Sequence, residues 1–395
     1  MASETVVAIS WLSRLKQSLG GVVVGFGIVV AMAVLLFWNE GRAVRVSQSL
    51  THGAGEVITV NAQTVDPAHE GRLVYISGAT AASGPAVDSQ FGVSAAALVL
   101  RRKVEMYQWV ERSQTVTESK LGGGQTQVTR YEYAPQWSAQ RQDSAKFHEA
   151  SNHTNPAMTI EGTTVYPGTT QLGARRLDAE VISQLGAAEP YALAPENAAG
   201  ILRALPVGTR ASIVEGKIYL TDDPAHPKVG DYRISYEYLP LQPISVVAAQ
   251  RGETLGAYIG KSGVPLLIAR RGHVPPEALF ASAQAGNTTS TWIFRALGVA
   301  GLMAGFSTVL RPLSVAGSVI PLLGTVLNAG TGLVAAVLGV AVGTVTIAGA
   351  WVYYRPWLAA AIVMVGVLMM AALLWWLLRR RAAAPASAVV APSVG

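Results

Sequence analysis

The segment from His148-Glu149 to His153 is the part of this sequence that comes closest to a metal site. A zinc-binding H-E-x-x-H helix places its histidines four residues apart, because that spacing brings both imidazoles to one helical face. Here the histidines are five residues apart, about 140° around a helix, and an Asn-Pro pair follows them. The spacing favours a surface loop with two unrelated histidines, and we predict neither a metal site nor a cofactor.

No other motif in the sequence indicates a catalytic residue. The chain lacks both the G-x-S-x-G turn of a serine hydrolase and the G-x-x-x-x-G-K-[ST] loop that cradles phosphates. The Gly-rich run at 122–126 has neither the lysine nor the following helix of such a loop. We predict that the protein is not an enzyme, and an active site assembled from distant residues stays open as the alternative.

Long apolar stretches indicate a membrane protein. Half of the 395 residues are hydrophobic and only 14% are charged, which is unusual for a soluble chain. About 20 apolar residues can cross a bilayer, and we predict transmembrane helices over 21–38, 292–310, 331–354 and 357–378. Over 311–330 we predict a cytoplasmic-side loop with an interfacial or re-entrant segment, because Gly and Asn interrupt the apolar pattern there.

The excess of basic residues indicates membrane orientation rather than nucleic-acid binding. Residues 41–291 carry 22 basic and 22 acidic side chains, so the net charge of +6 comes from the flanks of the apolar segments. The flanks on the side of the termini hold six basic residues and one acidic residue. The flanks on the opposite side hold two basic residues and one acidic residue. The positive-inside rule places residues 1–20 and a disordered tail at 379–395 in the cytoplasm, and 39–291 outside it.

The extracytoplasmic region is predicted to be rich in β-strands, because β-branched and aromatic runs alternate with turn residues. The predicted strands are 71–78, 101–116, 127–137, 211–220, 229–239, 244–252 and 264–272. A Gly-rich turn at 117–127 makes a long hairpin, and short helices are predicted around 177–205. The predicted fold class is an α+β membrane protein with four transmembrane helices, one N-terminal and three C-terminal, and a large β-rich extracytoplasmic domain.

The stretch LRRKVEMYQWVE carries the clearest strand pattern. Period-two alternation places Val104, Met106 and Val110 on one face and polar or aromatic residues on the other. This pattern predicts a half-buried wall of a sheet. Arg101 and Arg102, at the start of the strand, are predicted to be ordinary surface charges.

Several stretches resemble the LUMA (transmembrane protein 43) family. LRRKVEMYQWVE is the most specific, and NEGRA (39–43), NPAM (155–158), QRG (250–252) and YRP (354–356) recur in the same order. The resemblance implies one N-terminal span, a large luminal domain, a C-terminal membrane cluster and no established enzymatic activity. Eukaryotic members look like self-associating proteins of the endoplasmic reticulum and inner nuclear membrane, linked to emerin and lamins. This Cys-free, Ala/Gly/Val-rich chain resembles a bacterial member, for which a bacterial inner membrane is expected and nuclear partners do not carry over.

Charged and aromatic residues at the outer ends of the predicted spans are candidate site residues. Glu40 leaves the first span in the leaflet where Arg295 and Arg355 are expected. An ion pair between Glu40 and either arginine would hold the first span against the C-terminal helices. The alternative is that these residues contact lipid headgroups separately. The candidate interface residues are Trp38, Glu40, Arg42, Trp292, Arg295, Tyr354, Arg355 and Trp357.

Three G-x-x-x-G motifs predict close helix packing, because glycines on one stripe let two helix backbones approach. The candidate packing residues are Gly21, Gly25, Gly301, Gly305, Gly339 and Gly343. Packing within one chain and packing between copies are both open. We expect at least one motif to serve a second copy, which predicts a homo-oligomer.

These observations predict a non-enzymatic integral membrane scaffold that self-associates and presents its extracytoplasmic domain to membrane lipids or to a partner protein. An oligomeric channel or transporter component is the first alternative. Arg295 and Arg355 are expected at the membrane interfaces, and no Asp, Glu, Lys or Arg lies deeper in the predicted spans, which argues against proton-coupled transport. A periplasmic enzyme is the second alternative, and no nucleic-acid partner is expected.

Overall fold

The computed structural model describes residues 2–194, 198–205, 210–319 and 321–382. The chain forms two compact units that alternate along the sequence. The β-rich unit comprises the chain up to Gln17, Arg45–Thr289 and Ser314–Leu327, and the helical unit comprises Ser18–Val44, Ser290–Leu313 and the chain from Asn328 onward. Residues 383–395 of the predicted cytoplasmic tail lie outside the described residues.

Three long apolar helices dominate the helical structure. The helices of the described chain are α1 Trp11–Glu56, α2 Ala179–Ser183, α3 Ala198–Ala204, α4 Pro276–Gly317, α5 Pro321–Tyr354 and α6 Pro356–Ala382. By length and composition α1, α4 and α5 can each cross a membrane, and α6 contains a shorter apolar segment. The predicted class, with one N-terminal membrane helix and a C-terminal group around a β-rich middle, is confirmed.

The local sequence explains where these helices begin and end. The Oγ atom of Ser10 accepts a hydrogen bond of 3.2 Å from the backbone N–H of Ser13, which caps the start of α1. Pro356 begins α6, where its fixed φ suits a helix and its missing N–H needs no partner. Arg355 separates α5 from α6 because the α conformation is disfavoured for a residue that precedes proline.

The region between α4 and α5 is more helical than the sequence predicts. The sequence predicts a loop with an interfacial or re-entrant segment over 311–330, whereas α4 continues to Gly317 and α5 begins at Pro321. Only residues 318–320 separate the two helices. A helix satisfies its backbone hydrogen bonds internally, so an uncharged apolar run can remain helical through several glycines.

Strands form two large sheets and two small pairs. The strands are β1 Ala2–Ile9, β2 Ile58–Thr59, β3 Leu73–Ala82, β4 Ala86–Asp88, β5 Val93–Ala95, β6 Ala97–Ser119, β7 Gln125–Ser138, β8 Thr163–Val165, β9 Thr170–Leu172, β10 Arg175–Arg176, β11 Glu189–Tyr191, β12 Ser212–Val214, β13 Lys217–Leu220, β14 Tyr232–Pro240, β15 Pro243–Arg251, β16 Thr254–Gly256, β17 Tyr258–Ile259, β18 Pro265–Leu266 and β19 Ile268–Arg271. The first sheet has the order β1-β7-β6-β14-β13-β12, with β8 on β6 and β11 on β14. The second has the order β19-β15-β16-β10-β9-β3-β2, with β15 also pairing β3.

The central strand β6 shows the predicted alternation. Val104 and Met106 are buried, while the residues that follow each of them, Glu105 and Tyr107, are partly exposed. The predicted long hairpin is also present, because β6 and β7 pair from Met106–Ser138 to Ser119–Gln125. The surface position predicted for Arg102 is wrong, since this residue points to the core face and is only 8% exposed. Alternation fixes the face of a residue, and here the buried face includes a charge.

Strand β1 joins the β-rich unit, which the sequence does not predict. Its eight residues pair antiparallel with the first half of β7, from Ala2–Glu132 to Ile9–Gln125. The sequence-based division separates residues 1–20 from 39–291 by a membrane, and this pairing does not match it. Hydrogen-bonded strands lie on the same side of a membrane, so residues 2–9 and 125–132 must lie on the same side.

The predicted strand at 211–220 is in fact a tight hairpin of β12 and β13. Glu215 and Gly216 form its turn with φ of 51° and 72°. Both residues of a type I′ turn need positive φ, which glycine adopts freely and which other residues adopt only under such a constraint. A short apolar run interrupted by Glu-Gly therefore reverses direction at the glycine.

Each large sheet has its own apolar core. One core combines residues of β3, β15 and the short helix α2, including Val74, Val246 and Val181. The other combines residues of β6 and β14 with Phe91 and the helix α3, including Leu100 and Ile234. The second core lies directly behind the buried face of β6, so it fixes that strand's orientation.

The helical unit is packed through its glycines. A Cβ atom on Gly25 would lie 2.8 Å from the backbone oxygen of Gly305, and one on Gly339 would lie 2.8 Å from the backbone nitrogen of Met303. A Cβ on Gly343 would lie 2.9 Å from the side chain of Val299. The G-x-x-x-G motifs thus serve close approach of α1, α4 and α5 within one chain.

We predict that Gly25→Ala destabilises the helical unit by about 1–3 kcal/mol, because the added methyl group meets backbone atoms that cannot rotate away. The matched control is Gly27→Ala in the same helix, where a Cβ meets nothing within 4 Å. Gly27→Ala should be neutral or slightly stabilising, since alanine favours a helix over glycine. Thermal unfolding of both variants in detergent measures the difference, and equal midpoints would contradict the close crossing.

Candidate functional site

The side chain of Glu40 is the centre of a polar cluster in the helical unit. Although it lies in the apolar α1, Glu40 is only 1% exposed and accepts three hydrogen bonds. Arg295 of α4 donates from Nε to Oε1 at 2.6 Å and from Nη2 to Oε2 at 2.8 Å. Trp351 of α5 donates from Nε1 to Oε2 at 2.8 Å. One carboxylate therefore joins three long helices.

Aromatic rings surround the guanidinium of Arg295. The ring centroid of Trp292 lies 4.7 Å from its Cζ atom, and that of Trp351 lies 5.7 Å away. A guanidinium is more weakly hydrated than an ammonium and gains attraction from aromatic faces, so it suits this partly buried position. The planar fork of arginine also matches the two oxygens of Glu40.

A second group of polar residues lies beside this cluster. Arg42 donates from Nη2 to Oδ1 of Asn39 at 3.1 Å and to Oγ1 of Thr291 at 3.4 Å. Asn39 donates from Nδ2 to the backbone oxygen of Thr291 at 3.2 Å, and both of these residues are buried. The Cζ atom of Arg42 lies 5.6 Å from the ring centroid of Phe294. The polar end of α1 is thereby tied to α4 a second time.

Four of the other predicted interface residues lie outside the Glu40 cluster. Arg355 forms no hydrogen bond or ion pair with Glu40, so of the two candidate arginines the structure places Arg295 against the carboxylate. Tyr354 packs on Phe37 with ring centroids 5.4 Å apart. Trp38 meets Phe294 edge-on at 6.3 Å, and Trp357 is 88% exposed. The exposed rings match the interfacial position of an aromatic belt.

Sequence reasoning missed Trp351, Asn39 and Thr291. A signal for the first was available, because an indole N–H in an apolar helix must find an acceptor when it is buried. The other two carried no distinguishing spacing. Their contacts depend on how α1 and α4 cross, which local pattern does not reveal.

The histidine-containing segment forms a stacked arrangement in the β-rich unit. His148 stacks on Tyr131 at 4.3 Å, and His153 stacks on Tyr133 at 3.9 Å. The segment is a loop of turns, as predicted, and His148 is exposed in it, whereas His153 is only 6% exposed. Glu111 accepts from the hydroxyl of Tyr133 at 2.8 Å, and burial followed by this hydrogen bond raises the tyrosine pKa. The described residues hold no group of three or more His, Cys, Asp or Glu suited to a metal ion.

A buried ion pair supports the eight-stranded sheet. Nη1 of Arg102 lies 3.0 and 2.8 Å from the two carboxylate oxygens of Asp88, and Tyr236 donates its hydroxyl to the same carboxylate at 2.7 Å. Burial is the largest cause that raises the pKa of Tyr236, and the hydrogen bond to Asp88 adds to it. The tyrosine therefore remains a neutral donor, which is what a buried carboxylate requires.

These features define a class of protein: an integral membrane protein in which long apolar helices are joined by a buried polar cluster and a β-rich unit completes the chain. The chain belongs to the transmembrane protein 43 family, whose family model matches residues 106–356. The match includes most of β6, all of β7 and the helices α4 and α5.

Known relatives align over almost the whole chain. Transmembrane protein 43 of Mus musculus is 32% identical over 366 residues, which cover 89% of this chain and 89% of the relative. The Homo sapiens protein is 31% identical and covers 91% of both chains. The transmembrane protein 43 homolog of Drosophila melanogaster is 27% identical over 86% of this chain and 91% of its own. No solved structure matches.

We predict that Glu40→Gln and Arg295→Met each destabilise the protein by about 3–5 kcal/mol, because each leaves the opposite buried charge without its partner. The double variant should lose less than the sum of the two, which a double-mutant cycle in denaturant measures. Arg355→Met is the control and should have a small effect. Additive losses for Glu40 and Arg295 would contradict a direct coupling.

We predict that Tyr236→Phe lowers stability by about 1–3 kcal/mol, because Asp88 loses a buried donor. Tyr238→Phe on the same strand is the matched control and should change stability by a few tenths of that amount. Chemical unfolding followed by tryptophan fluorescence compares the two variants. Equal effects would show that the hydroxyl of Tyr236 contributes nothing beyond its ring.

Proposed function

We propose that this protein is a non-enzymatic membrane scaffold that self-associates and presents its β-rich unit to membrane lipids or to a partner protein. The observation that carries the proposal is that polar groups in the helical unit form hydrogen bonds with one another. Three hydrogen bonds join Glu40, Arg295 and Trp351 across three helices, and both oxygens of the carboxylate take part. Such mutual pairing supports a role in fixing helices rather than in turnover.

Self-association needs a surface other than the glycine motifs, because these pack against helices of the same chain. The edge strand β1 offers one. It contains no proline and one charged residue, Glu4, while Val6 and Val7 are exposed. The unpaired N–H and C=O groups along such an edge can pair with another strand. We propose that β1 of one copy pairs with β1 of a second.

The proposed location is a bacterial inner membrane with both termini in the cytoplasm. The basic flanks of the apolar segments support this orientation through the positive-inside rule. Membership of a transmembrane protein family supports the membrane itself. The pairing of residues 2–9 with 125–132 adds a condition to this orientation, because paired strands must lie on the same side of the membrane.

Native mass spectrometry of the full-length protein released from lipid nanodiscs tests the scaffold. We expect an oligomer that retains lipid, and we expect Val6→Lys to shift it toward monomer, because a lysine on an edge strand opposes pairing. Leu121→Lys is the control, since it also removes an exposed apolar side chain but lies in the turn between β6 and β7.

Two results would contradict the proposal. A monomer without lipid would remove the argument for assembly. An ion flux in proteoliposomes that increases with protein concentration would instead identify a channel or transporter component.

A further inference from the structure

The β-rich unit contains a cleft of about 750 Å³ that the scaffold proposal leaves unused. This volume is in the range of about 300–1,000 Å³ that small-molecule sites occupy. The cleft lies along β6, and its charged lining residues are Arg102, Lys103, Glu105, Arg141 and Glu161. All of them lie in one compact unit.

The cleft opens where β6 changes its neighbour. Strand β8 pairs with β6 only as far as Arg102, and β7 begins to pair with it at Met106. Residues 103–105 therefore have no strand beside them on this edge. The gap is closed at its ends by the two neighbouring strands, which makes it a cleft rather than an open sheet edge.

The backbone of Val104 faces this gap. Tyr107 donates its N–H to Asp231 and accepts from Gly230, so its polar groups point toward β14. The backbone groups of successive residues in a strand point to alternate edges. Val104, three residues earlier, directs its N–H and C=O toward the opposite edge. There it pairs with neither β7 nor β8.

Arg102 supplies a fixed cationic donor to the cleft. Besides the pair with Asp88, its Nε donates to the backbone oxygen of Glu161 at 3.0 Å, and its Cζ lies 4.9 Å from the ring centroid of Phe91. These contacts hold the guanidinium in place with 6% of its side chain exposed.

The other charges of the lining divide into paired and unpaired groups. Lys103 pairs with Glu237, and Glu105 pairs with Arg233 at 2.7 Å. In contrast, no described residue forms an ion pair or a side-chain hydrogen bond with Arg141 or with the carboxylate of Glu161. The cleft thus offers a ligand two guanidinium groups and one carboxylate.

We propose that this cleft binds a phosphate ester that also carries an ammonium group, the chemistry of phosphoethanolamine. Arg102, Arg141 and the N–H of Val104 receive the phosphate, whose several oxygens can accept more donors than the two of a carboxylate. Glu161 receives the ammonium. The same chemistry occurs in a small soluble molecule and in the headgroup of a phospholipid. The inference goes beyond the scaffold proposal, because it concerns a defined ligand site.

Calorimetric titration of the full-length protein in detergent with phosphoethanolamine tests the site. We expect saturable binding that weakens about tenfold or more in Arg141→Ala and in Glu161→Gln, because each loses a charge-assisted contact. Both residues are exposed, so these variants should fold. Arg112→Ala is the control, because Arg112 is an exposed arginine of β6 outside the cleft, and this variant should bind normally.

A second arm distinguishes the source of the ligand. Protein in nanodiscs that contain phosphatidylethanolamine and phosphatidylcholine is delipidated, and the retained lipid is identified by mass spectrometry. Retention of phosphatidylethanolamine that is lost in Arg141→Ala supports a lipid headgroup, and binding of the soluble probe alone supports a soluble ligand. The oligomeric state of the same samples is read independently, so a failed scaffold and a failed site are separate results.

Three outcomes overturn the proposal. The first is the absence of binding in both arms. The second is binding that Arg141→Ala and Glu161→Gln leave unchanged. The third is inorganic phosphate binding as tightly as phosphoethanolamine, because Glu161 would then have no part in recognition.

Discussion

The structure depends on the need to neutralise a buried carboxylate in an apolar helix bundle. Removing a carboxylate from water costs several kcal/mol unless a counter-charge and hydrogen-bond donors replace the lost hydration. Glu40 obtains all of them from Arg295 and Trp351, which lie on two other helices. The crossing of the three helices is therefore specified at this point, and the glycine contacts along α1, α4 and α5 let their backbones approach closely enough for the bonds to form.

The β-rich unit uses the same solution. Arg102 is buried against Asp88, a donor from Tyr236 completes the carboxylate's hydrogen bonds, and Phe91 covers the guanidinium. Buried pairs of this kind contribute modestly to net stability, yet losing one partner is costly, so they favour one arrangement over its alternatives. In β6 this arginine also lines the cleft beside a gap in the sheet. A structural ion pair and a candidate ligand site thus share a side chain.

The proposed scaffold role is based on position rather than on chemistry. Within the described chain, the charged residues of the helical cluster bond to one another, and His148 and His153 stack on tyrosines, so neither group is arranged as a nucleophile with its base. What remains available is surface: the edge of β1, the exposed aromatic rings at the helix ends and the cleft along β6. These are features through which a membrane protein contacts lipid, a ligand or another copy of itself.

The sequence by itself determined the apolar helices, the long hairpin and the buried face of β6, because each follows from a local period of hydrophobicity and needs no distant partner. It also indicated two candidate arginines for Glu40, with lipid headgroups as the alternative. Only the tertiary structure decided between them, added Trp351, buried Arg102 against Asp88 and placed β1 on β7. These contacts join residues from 14 to 311 positions apart. Local periodicity carries no information on which distant surfaces meet, so they depend on how the helices cross and how the strands pair.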